Sequence, residues 1–230
     1  MNTLVWCEDT GSGFAFWKKM FKTLYRDFLV ESKKNNSELC KAVSGIGDDD
    51  GNKYYVIMDN AVDNPDVLRE IQRLHRLAKD KSNVSIIRIH SFEFALLSFS
   101  MLEDWVFAKE DELKNQRKKL LEFKQAFVSI ICNGGDIQAL SLMKDAMDYL
   151  NNKNAEQISA KLLFEITRNT GFETTKGRLG SCFIVDCCNW DRRQSDDICG
   201  LDQKRLTGDE KIKIIFENSV LKNTFAKAGL

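Results

Sequence analysis

The sequence is short of several features that would classify it at once. It has a single proline, Pro65, so no proline-rich linker divides it and any internal boundary is short or helical. It has no apolar run near the roughly 20 residues needed to cross a bilayer, and no membrane span is expected. The opening residues MNTLVWCEDTGSG lack a basic stretch followed by an apolar one, so the expected location is cytoplasmic rather than secreted. Its seven cysteines are an odd number, which without a secretion signal argues against a disulfide framework. Surplus charge is also absent, with Lys+Arg and Asp+Glu both at 34. Proteins that coat nucleic acid are usually basic, so any nucleic-acid contact here has to use a local patch. No G-x-S-x-G, P-loop or G-x-G-x-x-G motif is present, which argues against elbow-type hydrolases, NTPases and dinucleotide enzymes.

What is present is a chain of 230 residues, 43% hydrophobic and 30% charged, enough apolar material for a sizeable core. Residues 3–7, TLVWC, read as a buried strand closed by Glu8-Asp9 and the turn Gly11-Ser12-Gly13. Residues 14–29 place Phe14, Trp17, Phe21, Leu24, Tyr25 and Phe28 at helical spacing, with Ser12 as a cap. Residues 39–43 are a weaker strand candidate, followed by a turn at Asp48-Asp49-Asp50-Gly51. The clearest strand is 54–58, YYVIM, a continuous apolar run of the kind buried on both faces of a parallel sheet. Asn64 then suits a helix cap and Pro65 the first helical position. Residues 83–89 give another strand.

After residue 93 the texture turns helical: 94–108, 110–131, 136–151 and 155–168 all suit helices, as do 206–223. A short strand near 181–185 is the exception. The reading is therefore α/β: a small, mostly parallel sheet flanked by helices over residues 1–100, then a largely helical region over 101–230. The C-terminal cysteines Cys182, Cys187, Cys188 and Cys199 lack the paired C-x2-C spacing of common zinc sites, and read as buried thiols.

In open α/β sheets, ligands collect at the carboxyl ends of the strands. Glu8, Asp59 and the Ser91–Glu93 segment each follow a candidate strand directly. Carboxylates gathered without cations repel one another and invite a hard divalent ion such as Mg²⁺ or Mn²⁺. Such an ion can clamp a phosphate and acidify an attacking water. On that logic Glu8 and Asp59 are the candidate catalytic residues, and Glu8, Asp59 and Asp63 the candidate metal ligands. Asp9, Glu93 and Lys18 are accessory, Lys18 to offset phosphate charge. Asp63 and Asp66 also suit a helix start, where acids favour the dipole.

This layout resembles the Toprim fold, in particular nucleases of the overcoming-lysogenisation-defect type. That family places a glutamate after its first strand, as VWCEDTGSGFAFWKKMF does with Glu8. It has an Asp-x-Asp after a later strand; YYVIMDNAVDN supplies Asp59 but Ala61 two residues on, with Asp63 as a shifted substitute. HSFEFALLSF, with Glu93, looks similar to the family's third acidic segment. The resemblance implies a Mg²⁺- or Mn²⁺-dependent nuclease or phosphodiesterase acting on nucleic acid in phage defence. It also implies a partner protein, an ATPase or a sensor, or a homo-oligomer; a non-catalytic interaction subunit with a degenerate acidic site is the alternative. A second resemblance is to response-regulator receiver domains, in which Glu8-Asp9, Asp59, Ser91 and Lys109 would be the acidic pair, phosphoacceptor, hydroxyl and lysine.

Overall fold

A computed structural model describes residues 2–47, 50–60, 62–107, 111–145, 150–170, 172, 181–187, 199–201 and 204–230. Four strands form one sheet: β1 (Thr3–Cys7), β2 (Phe28–Ser32), β3 (Lys53–Asp59) and β4 (Val84–Ile89). All pairings are parallel, in the order β2-β1-β3-β4. Parallel neighbours need crossovers, and these are α1 (Gly11–Leu24), α2 (Asn36–Ser44) and α3 (Pro65–Ala78). Later come α4 (Phe92–Leu97), α5 (Leu102–Val106), α6 (Asp111–Gln116), α7 (Lys118–Cys132), α8 (Ile137–Asp145), α9 (Ala155–Thr167), α10 (Ser181–Ile184), α11 (Gly208–Glu217) and α12 (Leu221–Lys227).

Strand alternation sorts the core onto two faces. Val5, Cys7, Tyr55, Ile57, Ile87 and Ile89 face a large cluster that also holds α1, α4 and the later helices. Trp6, Tyr54, Val56 and Met58 face a smaller cluster closed by α2 and α3. Tyr54 to Met58 are all buried, which is why that run reads as continuously apolar. The helices beyond residue 100 share the large cluster with the sheet, through Trp105, Phe127, Ile158 and Phe225 among others. Phe225 of α12 stacks on Phe21 of α1 with ring centroids 5.3 Å apart. Among the described residues, no helix is long and apolar enough to cross a membrane.

Three local expectations need correction. Residues 39–43 are not a strand but part of α2, where Leu39, Cys40 and Val43 form one buried helical face. Asn35 caps that helix by accepting from the Glu38 N–H at 2.9 Å, a local signal that outweighs a short apolar run. The helix expected over 14–29 stops at Leu24 and the chain turns into β2. Its aromatic spacing runs on because Tyr25 and Phe28 stack together at 4.9 Å around that turn. Residues 181–185 form a helical turn, α10, rather than a strand. Phe183 there is buried between Trp105 and Phe172, and a short apolar run does not by itself separate strand from buried helix.

Two smaller differences concern α1 and α2. α1 starts one residue before Ser12, with Thr10 at its cap position. A helix, α2, separates β2 from β3, where the sequence reads as a strand over 39–43 followed by a turn cluster. Asp48, Asp49, Ala61, Lys109 and Cys188 lie outside the described residues. Asn64 and Pro65 open α3 as expected, with the Asn64 side chain accepting from the Asp66 N–H at 3.2 Å.

Candidate functional site: an acidic cavity at the strand switch

β1 sits between β2 and β3, so the first crossover moves outward on one side and the second returns past β1 to the other. At such a switch the loops diverge and leave a crevice at the carboxyl ends of the strands. Glu8 and Asp9 leave the end of β1 there, and Asp59 ends β3. Glu93 arrives in the first turn of α4, just after β4. Together with Glu156 they line one cavity of about 480 Å³, whose rim includes Thr10, Ser12 and Gly13. Among the described lining residues there is no lysine, arginine or histidine.

Each carboxylate is held differently. Glu8 Oε1 accepts the backbone N–H of Asp59 at 2.6 Å, which joins the ends of β1 and β3. Asp9 Oδ2 accepts the indole N–H of fully buried Trp17 at 2.7 Å. Asp59 Oδ1 is shut off from solvent and has no hydrogen-bond partner. Ser91 caps α4 by accepting from the Phe94 N–H at 3.1 Å, and its hydroxyl also helps hold the Glu93 carboxylate.

Burial is the main cause of a shared upward shift in acidity constants. It pushes Glu8 up to about 7, against a backbone hydrogen bond from Asp59 that favours the ionised form. It pushes Glu93 up to about 7 and Asp9 up to about 6. Asp59 is held well above the ordinary carboxylate range, by burial first and then by the charges of Asp9 and Glu8. Glu156 is raised by burial as well. Unneutralised, this site prefers to hold protons or to bind a cation.

The structure therefore brings together Glu8, Asp59 and the accessory pair Asp9 and Glu93. It does not bring Asp63 to them. The Asp63 Oδ2 pairs with Lys144 of α8 at 2.6 Å, and Oδ1 accepts the Ala155 N–H at the start of α9 at 2.9 Å. Asp63 thus anchors helices from the later half of the chain. Lys18 is exposed and lies over the Phe14 ring at 5.9 Å, while its neighbour Lys19 pairs with Asp209. Neither lines the cavity. Asp66 pairs with Arg69 at the exposed start of α3, as helix-start chemistry predicts.

Sequence reasoning missed Glu156. It follows the Asn154 cap of α9, where an acid reads as ordinary dipole chemistry. Only the packing of α9 against α4, with the Asp63–Ala155 bond, places it at the cavity.

Among the described residues, no group of three or more His, Cys, Asp or Glu side chains is set to hold a metal ion as it stands. The donor set nevertheless fits a hard cation in kind. Mg²⁺ needs only one or two carboxylates, its remaining positions going to water or phosphate oxygens. The unpartnered Oδ1 of Asp59, beside Glu8, is such a donor.

Gly13 gives Asp9 its place. A Cβ at Gly13 would fall 2.2 Å from Asp9 Oδ1 and 2.7 Å from its Cγ, inside contact distance. Gly13→Ala is expected to displace the Asp9 carboxylate and break its bond to Trp17. The loss should be about 1 kcal/mol in thermal denaturation, with an upfield move of the Trp17 indole N–H resonance. An unchanged resonance would show that Asp9 tolerates the methyl group.

Comparison with family models, with curated proteins and with solved structures finds no match to this chain, so its chemistry rests on the residues of the site themselves.

Proposed function

We propose that the acidic cavity is the site of a Toprim-like, divalent-metal-dependent phosphodiesterase, with nucleic acid as substrate. One observation carries this reading: five carboxylates line a single cavity without a described cation among them, and one carboxylate oxygen is both buried and unpartnered. The acidic positions named by the Toprim resemblance are those of Glu8, Asp59 and Glu93. Asp59 and Glu8 are the residues that would hold Mg²⁺ or Mn²⁺, with Glu93 beside them. When bound, such an ion polarises a phosphate and lowers the pKa of water.

The chain's own groups would do the rest. Asp9, fixed by Trp17, adds negative charge that draws the cation in. Glu93, whose carboxyl is pushed up to about 7 by burial in the metal-free cavity, would stand beside the ion as a carboxylate able to accept a proton from water. Thr10 and Ser12 supply hydroxyls at the rim. A role in phage defence alongside a partner ATPase or sensor is part of the same proposal and follows from the resemblance.

The deciding experiment incubates the purified protein with labelled single-stranded DNA, double-stranded DNA and RNA in Mg²⁺ or Mn²⁺. Cleavage that stops on chelation supports the proposal. Absence of cleavage, alone and with the products of neighbouring genes, removes it in favour of a non-catalytic interaction subunit.

A receiver-type phosphoacceptor is the second reading. It gains from α2 lying between β2 and β3, and from Asp59 and Ser91 ending β3 and following β4. It loses at Trp105 and Val106, the place for a fifth strand, which are helical in α5. Beryllofluoride that binds wild-type protein but not Asp59→Asn would favour this reading.

A further inference from the structure

β4 is the outer strand of the sheet among the described residues. Its inner side is paired: Tyr54 N–H donates to the Asn83 carbonyl, and Asn60 N–H to the Ile89 carbonyl, both at 2.8 Å. In a parallel ladder, successive residues point their backbone groups to opposite sides. The N–H and C=O groups of Ile86 and Arg88 therefore face outward. An open edge of this kind is a template for another strand, and this one holds neither proline nor glycine across its six residues.

The edge lies at the bottom of a groove. A cavity of about 520 Å³ runs across it, bounded by Lys79 beside α3, by Val84, Ile86 and Arg88 of β4, and by Lys227 of α12. A second cavity of about 240 Å³ shares Arg88, Thr224 and Lys227 with the first and continues it. Lys79, Arg88 and Lys227 are exposed, and among the described residues none of them forms an ion pair. No described aspartate or glutamate lines either cavity. In a chain of zero formal net charge, this groove carries one sign only.

We propose that the groove receives an extended, acidic segment of a partner protein, which adds to β4 as a fifth strand. The backbone decides between polyanions. Ile86 and Arg88 offer donors and acceptors in alternation, and a peptide strand supplies the matching set. A DNA backbone supplies phosphate acceptors but no donors for the two carbonyls, and RNA adds only its 2′-hydroxyls, which do not alternate with acceptors at the spacing of a peptide strand. Val84, Ile86 and Arg88 share one face of β4, so side chains of the incoming strand on that side meet an apolar floor ending at Arg88 and Lys79, and those on the other side meet Lys227. A single charged residue on an edge strand is a common guard against unwanted pairing. Here, however, Lys79 and Lys227 come from opposite faces of the sheet, so the positive charge belongs to the groove and not only to the strand. The proposal is independent of what the acidic cavity does.

The test uses the full chain and a fluorescein-labelled peptide, EVEVEVE, followed by anisotropy at low and at physiological salt. Saturable binding is expected, tighter at low salt, with slowed hydrogen exchange at the Ile86 and Arg88 amides. Arg88→Glu and Lys227→Glu should each weaken it by about tenfold, and both sites are exposed, so circular dichroism should be unchanged. The same peptide N-methylated at alternate residues should fail to bind. No saturable binding would overturn the proposal. So would equal binding of the N-methylated peptide, which would reduce the effect to charge alone. Displacement of the peptide by an oligonucleotide of equal charge at equal concentration would also overturn it, assigning the groove to nucleic acid.

Discussion

Asp59→Asn is expected to do two opposite things: raise the melting temperature of the metal-free protein at pH 8, and sharply reduce the proposed metal-dependent cleavage. The first follows from the acidity constants. Burial lifts Glu8 and Glu93 to about 7, Asp9 to about 6 and Asp59 well above its ordinary value. The folded chain thus retains protons that the unfolded chain has released. The contribution of these four acids to stability is fully present below about pH 4 and is lost as the pH rises through about 6 to 7 and beyond, because deprotonation is easier in the unfolded state.

Asparagine at position 59 keeps the shape and removes the charge that burial penalises most. The gain at pH 8 should be about 2 kcal/mol, or about 4–8 °C in a chain of this size. The pH profile of the melting temperature should flatten in the same variant. Millimolar Mg²⁺ or Mn²⁺ should stabilise wild-type protein at pH 8 and have little effect on the variant. Cleavage should drop about a thousandfold, equivalent to losing about 4 kcal/mol of barrier lowering. Differential scanning fluorimetry across pH, with and without metal, reads the stability side directly. A lower melting temperature for Asp59→Asn at pH 8, or an undiminished response to metal, would show that Asp59 is a structural acid.

The second large effect belongs to Asp63. Its carboxylate and the Lys144 ammonium are both mostly buried, with side chains 11% and 15% exposed. The other oxygen satisfies the Ala155 N–H at the start of α9. Asp63→Ala leaves a desolvated ammonium and an unmet backbone donor together. The expected loss is about 3 kcal/mol in denaturant unfolding, the range for breaking one side of a buried pair. Lys144→Met added to Asp63→Ala should recover part of it, because the stranded charge is gone. The double variant should still lack the Ala155 bond, so Glu156, one residue further on, should remain free to drift from the cavity. Full recovery by Lys144→Met would confine the role of Asp63 to charge balance.

The candidate site was partly legible from the chain alone. Glu8 and Asp59 stand out because each closes a short β-branched and aromatic run that reads as a buried strand, and strand ends are where a parallel sheet opens. Glu93 stands out for the same reason, after β4. Asp63 misled because acids just before a helix start have two uses, and sequence spacing does not say which one tertiary contacts will take. Glu156 gave no signal at all. Its local surroundings, Asn154 to Gln157, form a complete capping box, and nothing in that short stretch registers the strand ends far away in sequence.

The sequence by itself determined β3, the Asn64–Pro65 start of α3, the α/β class and the two acids at strand ends. Each of these rests on short-range chemistry: burial on both faces, a cap, a fixed proline φ. Tertiary structure alone decided that residues 39–43 are helix, that residues 28–32 are an outer strand, and that residues 181–185 are a helical turn. It also recruited Glu156 in place of Asp63. Those outcomes depend on which surfaces meet, and short apolar segments take the form their neighbours make room for.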